Sequence, residues 1–337
     1  MGTSLASRPF QFRFAADLQR PRDRLQRAYG SAPATNEDRT IRTEKLLKAG
    51  IWLATAPLPK STRKRLRLKG RSGIELARCR RADAVILSRA KSGRTWLRAM
   101  ISACYHERYG LPENLLLEFD NLHRLDRRVP KISFAHGHAL TTALEAPGHE
   151  LWQSDKPLVF LARNPCDVAV SEYFQSTRRA SAYKREMWGV DEATTMFDFV
   201  MGGPVGLPVI VDYMNIVAKR VEQMPAAITV RYEDMLAEPE RELGRVVAHI
   251  DSPFHPDQIG RAVEQCRFDA MKQREKDNFY HNSRLAARDP DDPDSYKVRR
   301  AKVGGYRDYF DEAQVQAMER YMTDNLDSRL GYSVGSD

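Results

Sequence analysis

Four short apolar runs, each followed by a helical pattern, most constrain the fold of this 337-residue chain. The runs cover residues 83–88, 131–138, 156–163 and 226–234. Short apolar runs of this length are typical of buried strands, and the intervening segments carry apolar residues at helical spacing. Strands that alternate with helices form parallel sheets with both faces covered. The sequence therefore predicts an α/β protein: a single domain with a central, mostly parallel sheet flanked by helices.

Helix boundaries are marked by Pro and Gly. The sequence predicts a helix over residues 95–109 that stops at Gly110, one that starts near Cys166, one over residues 239–250 and a closing helix over residues 312–326. Residues 274–305 are charged and contain Pro290 and Pro293, and they predict a long loop. A loop of that length in a compact domain is often a functional lid.

The basic charge of the chain is concentrated in one tract. The net charge is +9, and residues 60–81 hold ten Lys and Arg against one acid, Glu75, so this tract alone equals the whole excess. We therefore divide the chain into an N-terminal extension, residues 1–81, with an apolar stretch and this tract, and a domain at residues 82–330. Residues 46–81 could dock on an anionic membrane surface. The alternative is a helical extension that packs on the domain with a solvated basic face.

The remaining composition argues for a cytoplasmic protein, with peripheral attachment to the inner face of a membrane left open. The four cysteines are far apart and form no C-x-x-C pair, so neither a zinc site nor a disulfide framework is indicated. No stretch stands out as long and apolar enough to span a bilayer. Because the charge outside the basic tract is balanced, no nucleic-acid partner is expected.

A candidate anion site follows the first strand, where the sequence reads ILSRAKSGRTWLRAM. In nucleotide P-loops the Lys follows the last Gly, whereas here Lys91 precedes Gly93. Gly93 lets backbone N–H groups approach an oxyanion, and the following helix adds unpaired donors at its N-terminus. The alternative is a capped turn with charged residues on its surface.

A second candidate site is the stretch RNPCDVAVSEYF after the third strand. Arg163 ends the strand, and Ser171 lies about two turns into the next helix. An Arg can bind a phosphate with two hydrogen bonds, and ligands of open α/β sheets lie at the carboxyl ends of the strands. The alternative is an Arg163–Asp167 ion pair and a Ser on the helix surface.

Together the two stretches resemble the sulfotransferases that use 3′-phosphoadenosine 5′-phosphosulfate (PAPS). That family has a P-K-S-G-T-T-W phosphosulfate loop and an R-N-x-x-D-V-A-V-S motif, which stand here as AKSGRTW and RNPCDVAVS. Further matches follow in the family's order: YEDM, FDAMK and RRAKVGGYRDYF. The resemblance covers about residues 82–321 and implies a P-loop-like phosphosulfate site, with PAPS as co-substrate and no metal.

The resemblance also implies a role for each matching residue. It assigns the 5′-phosphosulfate to Lys91, Ser92, Gly93, Arg94, Thr95 and Trp96. It assigns the 3′-phosphate to Arg163 and Ser171, the purine side to Tyr232, and a further contact with the 3′-phosphate to Arg299 and Arg300. The KVGGYRDYF region resembles one used for dimer contacts in part of the family, so a homodimer is a further expectation.

The acceptor is expected to be a hydroxyl compound, with a lipid or lipid-linked molecule as one option. The family's catalytic His lies between the two phosphate motifs, where this chain reads FAHGH. His136 is the best match for a general base, and His138 is the alternative. Lys91 would stabilise charge on the leaving phosphate. Two other function classes stay open: a protein that binds PAPS or its product PAP without catalysis, and a basic nucleic-acid-binding module.

Overall fold

A four-stranded parallel sheet forms the centre of the protein. The computed structural model describes residues 39–136, 149–180, 194–251, 253–282, 285, 296–298 and 302–332. Within these residues the strands are ordered β2-β1-β3-β4. Their bounds are Ala84–Ser88 (β1), Ile132–His136 (β2), Leu158–Ala162 (β3) and Ala227–Arg231 (β4). The predicted α/β architecture with a parallel sheet is confirmed.

The observed strands differ from the predicted runs mainly at one end. The fourth run was expected to extend to Asp234, but Tyr232 already begins a helix. The reason is tertiary: Tyr232 packs against Trp96, and the Glu233 carboxylate accepts a hydrogen bond from the backbone N–H of Asn164 at 2.8 Å. The second run ends as a strand at His136, and its last two predicted residues lie outside the described ones.

Helices cover both faces of the sheet. Those before β3 are α1 (Arg39–Ala54), α2 (Lys60–Arg81), α3 (Arg94–Tyr109) and α4 (Asn121–Leu125). After β3 come α5 (Pro165–Phe174), α6 (Met196–Gly202), α7 (Leu207–Glu222), α8 (Tyr232–Ala237), α9 (Pro239–Ile250), α10 (Pro256–Gln265), α11 (Phe268–Lys276) and α12 (Glu312–Asn325). The predicted Gly110 stop is present as a left-handed C-cap at φ 64°. Helix α11 extends into the expected long loop, as far as Lys276.

Two hydrophobic cores lie on opposite faces of the sheet because successive strand residues point to opposite sides. Val85 and Leu87 belong to one core, which is closed mainly by α5, α6, α7 and α12. Ile86 belongs to the other, which is closed mainly by α3, α9 and α10. All five residues of β1 and of β3 are buried, as expected for central strands of a parallel sheet.

The basic tract forms α2, which lies along the edge strand β2. The Cys79 thiol is 3.4 Å from the Ser133 hydroxyl, and a guanidinium nitrogen of Arg78 donates to the carbonyl of Phe134 at 3.4 Å. All four cysteines are buried and unpaired. One stretch of the described residues, Met196–Glu222, is long and apolar enough for a membrane span by length and composition alone, which the sequence analysis did not predict. It consists of α6 and α7, which bury apolar residues against the sheet.

Candidate active site

The loop between β1 and α3 has a backbone shape that favours Gly. Lys91 has φ 70° and Gly93, the N-cap of α3, has φ 84°. A Cβ atom on residue 93 would come within 2.8 Å of Cε2 of Tyr232 and closer still to Cδ2. The close approach and the positive φ together explain why Gly stands at this position.

Four of the sequence motifs meet at this loop. One guanidinium nitrogen of Arg163 donates to the backbone carbonyl of Lys91 at 3.1 Å, and its Cζ lies 4.4 Å from the centre of the Tyr232 ring. The Trp96 ring meets Tyr232 edge-on with 5.9 Å between centroids. The Trp96 indole N–H donates to the carbonyl of Cys266 at 2.8 Å, directly before the FDAMK segment. Residues from four distant parts of the sequence therefore lie together at the carboxyl ends of the strands.

The other residues predicted to bind PAPS differ in how far they are buried. Ser92 is buried, Thr95 is half-buried in the first turn of α3, and Ser171 is half-buried on the second turn of α5. The Nε of Arg163 is buried and has no hydrogen-bond partner among the described residues, although another nitrogen of its guanidinium lies 3.8 Å from Asp167. Three predicted residues lie outside the described part of the chain: His138, Arg299 and Arg300.

Asp167, in the RNPCDVAVS stretch, binds the backbone of the segment around Gly304 and Tyr306. Its carboxylate accepts hydrogen bonds from the backbone N–H groups of Gly304 and Tyr306, both at 3.0 Å. Asp167 is itself 4% exposed. The segment that follows the pair of arginines in RRAKVGG is thereby held against the N-terminal end of α5, beside Arg163.

His136, the last residue of β2, lies against Arg94. A guanidinium nitrogen of Arg94 is 3.2 Å from Nδ1 of the His136 ring and closer still to Nε2, while the other donates to the carbonyl of Ala135 at 2.9 Å. A guanidinium can only donate hydrogen bonds. The contact therefore suits a neutral imidazole that turns an unprotonated nitrogen toward Arg94.

Sequence reasoning missed Glu75, the single acid of the basic tract. One of its carboxylate oxygens accepts a hydrogen bond from the backbone N–H of His136 and lies 3.7 Å from Nδ1 of the ring. The same oxygen is 3.6 Å from Arg78, which also pairs with Glu44 at 3.3 Å. A lone acid in a strongly basic helix was the available signal, but its partner is 61 residues away in sequence.

Burial dominates the protonation of the surrounding groups. It raises the pKa of Tyr232, an effect that nearby Arg163 partly offsets. It also raises the pKa of the Cys104 and Cys266 thiols, to about 12 in each case, so these cysteines stay protonated near neutral pH. Among the residues that the structure describes, no three His, Cys, Asp or Glu side chains come together as a metal site.

Comparison with known proteins agrees with the motifs. The model of the sulfotransferase domain matches residues 81–329. Sulfotransferase 1B1 of Canis lupus familiaris is 24% identical over 259 residues, which cover 72% of this chain and 82% of that protein. Flavonol 3-sulfotransferase of Flaveria bidentis is 22% identical over 263 residues, covering 72% and 81%.

Solved structures of the same class are also similar to this chain. Mouse sulfotransferase SULT7A1 complexed with PAP aligns over 72% of this chain and 83% of its own, with 16% identity and a TM-score of 0.48. The domain match covers well over half of the 337 residues. The chain therefore belongs to the family of PAPS-dependent sulfotransferases that its motifs predict, and it is a transferase.

Proposed function

We propose that this enzyme moves the sulfonate of PAPS to an acceptor hydroxyl, with His136 as general base. The observation that carries the proposal is that three groups lie at the carboxyl ends of three neighbouring strands. The loop around Lys91 follows β1, Arg163 follows β3 and contacts that loop, and His136 ends β2 next to β1. The match to the sulfotransferase domain over residues 81–329 supports the nucleotide part of the proposal.

In this proposal the donor binds along the β1–α3 loop. Backbone N–H groups at the start of α3 and the side chains of Lys91, Ser92, Arg94, Thr95 and Trp96 hold the 5′-phosphosulfate, and Gly93 leaves room for it. Arg163 and Ser171 bind the 3′-phosphate, and Tyr232 lies on the purine side. The orphaned Nε of Arg163 supports this role, because a buried donor without a partner is costly unless a ligand supplies one. Arg299 and Arg300 complete the phosphate site.

The transfer step needs one proton acceptor and one charge stabiliser. The acceptor hydroxyl loses its proton to a ring nitrogen of His136 as its oxygen attacks sulfur. A new O–S bond forms while the bond from sulfur to the bridging oxygen breaks, and that oxygen keeps the electron pair as part of PAP. Lys91 neutralises the charge that develops there, as in phosphoryl transfer, where positioning and charge neutralisation supply most of the catalysis.

Glu75 and Arg94 prepare His136 for this step. The Glu75 carboxylate fixes the end of β2 through the His136 backbone N–H and stabilises the imidazolium once the proton has arrived. Arg94 holds a ring nitrogen unprotonated until the acceptor binds, and it must then move aside or turn toward the sulfonate. This gives a purpose to an Arg where the family motif has a Thr.

Transfer of labelled sulfonate from PAPS to a panel of alcohols, glycans and lipids tests the function. His136→Ala should lower turnover about 100-fold or more, because general bases contribute about 10²–10⁴-fold, while the affinity for PAP stays unchanged. His281→Asn, a substitution of an exposed His in a left-handed turn, serves as the matched control. Normal turnover by His136→Ala would leave His138 as the base. PAP binding without transfer to any acceptor would instead favour the non-catalytic alternative.

We further propose that residues 1–81 form an extension to a sulfotransferase domain at residues 82–330, and that α1 and α2 dock on an anionic membrane surface. Helix α1 exposes large apolar side chains: Leu46 (74%), Leu47 (52%), Trp52 (53%) and Leu53 (65%). Helix α2 exposes basic ones, Lys64, Arg65, Lys69 and Arg71. Apolar side chains beside clustered basic ones suit the surface of an anionic bilayer. The protein would then be cytoplasmic and peripheral.

Flotation with vesicles of phosphatidylserine and phosphatidylcholine tests the docking. Leu46→Glu combined with Leu53→Glu should abolish flotation at physiological salt, because both side chains are exposed and the fold should tolerate the change. Val209→Glu, at a position 39% exposed on α7, is the control. Unchanged flotation would contradict the proposal. A change of oligomeric state in the double variant would instead assign this face to a homodimer.

A further inference from the structure

Arg89 is a buried charge that the proposed donor site does not use. It stands one residue beyond the end of β1 and directly before the phosphosulfate loop, and only 4% of it is exposed. Its Nε has no hydrogen-bond partner among the described residues. Its Cζ lies 5.9 Å from the centre of the Tyr213 ring. Because burying a guanidinium without full pairing is costly, such a group points to a missing anionic partner.

Tyr213 presents a second unpartnered group at the same place. It lies on α7, is 5% exposed, and its hydroxyl is buried without a hydrogen-bond partner in the described part of the chain. Buried polar groups are normally satisfied, so an orphaned hydroxyl on α7 beside an orphaned guanidinium nitrogen after β1 indicates a polar ligand.

This position adjoins the proposed base. Ser88, the residue before Arg89, pairs with His136 across the sheet. Burial raises the pKa of Tyr213, while the charges of Arg89 and Arg94 lower it and that of Glu75 raises it further. Two of these charges, those of Arg94 and Glu75, belong to the groups that contact His136. Arg89 continues the row of Val85 and Leu87, which places it on the face of the sheet that α5 and α7 cover.

Glu172 is the nearby acid, and its state matters for an anionic ligand. It follows Ser171 on α5 and is 5% exposed. Burial raises its pKa, and the charges of Arg89 and Lys91 offset part of that rise. A carboxyl with a raised pKa is more often protonated, and it can then donate a hydrogen bond to an anion instead of repelling it.

We propose that the acceptor carries an anionic group, a carboxylate, phosphate or sulfate, which binds Arg89 and the Tyr213 hydroxyl and so places the reacting hydroxyl at His136. The inference rests on the proposed function, because it concerns the acceptor side of the same site. It also predicts strong discrimination between acceptors with and without this group. A site with buried hydrogen-bond donors rejects an analogue that lacks the matching acceptor group more strongly than an apolar pocket rejects an analogue of different size.

Matched pairs of alcohols test the proposal with the full chain saturated with PAP. The pairs are 4-(hydroxymethyl)benzoate with its amide and glycerol 3-phosphate with glycerol, and binding is measured by calorimetry. The charged member of at least one pair should bind at least tenfold more tightly than the uncharged one, about the effect of one charge-assisted hydrogen bond. Arg89→Gln should remove that preference, and Tyr213→Phe should reduce it severalfold. Arg128→Gln, at a side chain 69% exposed, should leave it intact.

The affinity for PAP, measured on the same samples, separates the two proposals. Failure to bind PAP would contradict the proposed function itself. Normal PAP binding with no preference for either charged alcohol, or with a preference that survives Arg89→Gln, would overturn the acceptor inference alone. A loss of PAP affinity of about tenfold in Arg89→Gln would also overturn it, because the missing anion would then belong to the nucleotide.

Discussion

Gly93 offers a sharp test of the loop geometry, because a matched control exists at the other end of the same helix. Gly93 precedes α3 and Gly110 follows it, and both have positive φ, 84° and 64°. An Ala at either position costs about 1–2 kcal/mol for the left-handed backbone. A Cβ at residue 110 meets nothing within 4 Å, whereas one at residue 93 would overlap the Tyr232 ring. The difference between the two variants therefore measures the collision.

The size of that difference follows from what Tyr232 contacts. Moving its ring weakens the edge-on contact with Trp96, worth about 0.5–1.5 kcal/mol, and the stacking of Arg163, worth at least the roughly 0.5–1 kcal/mol of exposed pairs. We expect Gly110→Ala to lower the free energy of unfolding by about 1–2 kcal/mol, and Gly93→Ala by a further 1–2.5 kcal/mol on the same principles.

Urea unfolding measures the stability of both variants, and calorimetry with PAP measures binding. Gly93→Ala should weaken PAP binding at least tenfold, since its Cβ and the displaced ring both alter the loop, while Gly110→Ala should bind PAP normally. If Gly93→Ala costs no more stability than Gly110→Ala and binds PAP as the wild type does, the close approach of loop and ring is refuted.

Three further changes have definite expected outcomes. Glu75→Gln keeps the backbone hydrogen bond but removes the charge near Nδ1 of His136, so kcat should fall about tenfold with little change in the affinity for PAP. Because the imidazolium loses a stabilising charge, the pH at which activity is half-maximal should move to a lower value, and an unaltered pH profile would contradict this role. Asp167→Ala leaves the buried N–H groups of Gly304 and Tyr306 unpaired, so the free energy of unfolding should fall by about 2–3 kcal/mol in urea unfolding and PAP binding should weaken. Burial lowers the pKa of His106 from 6.5 to about 4, so the unfolded chain takes up the proton first as the pH falls. Between pH 7 and pH 4 this group should remove about 3 kcal/mol of stability, and His106→Gln should flatten that decline in unfolding experiments at several pH values.

The sequence predicts those parts of the fold that depend on local pattern. The four strands, the Gly110 stop and the helix from Pro239 were all predicted because apolar runs and caps are written in neighbouring residues. The start of α8 at Tyr232 was not, because contacts with Trp96 and Asn164 override the strand-like pattern of that run.

The candidate site divides in the same way. The donor-side residues belong to contiguous motifs, so their types and order could be read along the chain. Glu75 and Tyr213 belong to no motif, and each becomes meaningful only when the fold brings it to the end of β1 or β2. Long-range pairs of single residues leave no periodic signal in one sequence, so a structure was needed to find them.

The contacts of α2 with β2 also bear on where this protein can be cut. The family match begins at residue 81, the last residue of α2, while Glu75 and Arg78 hydrogen-bond backbone groups of the outermost strand. An unprotected edge strand is a template for pairing with another chain. A fragment that starts at the family boundary would therefore lose the acid beside His136. It would also expose β2 to self-association, so α2 protects this strand of the sheet as well as holding the acid in place.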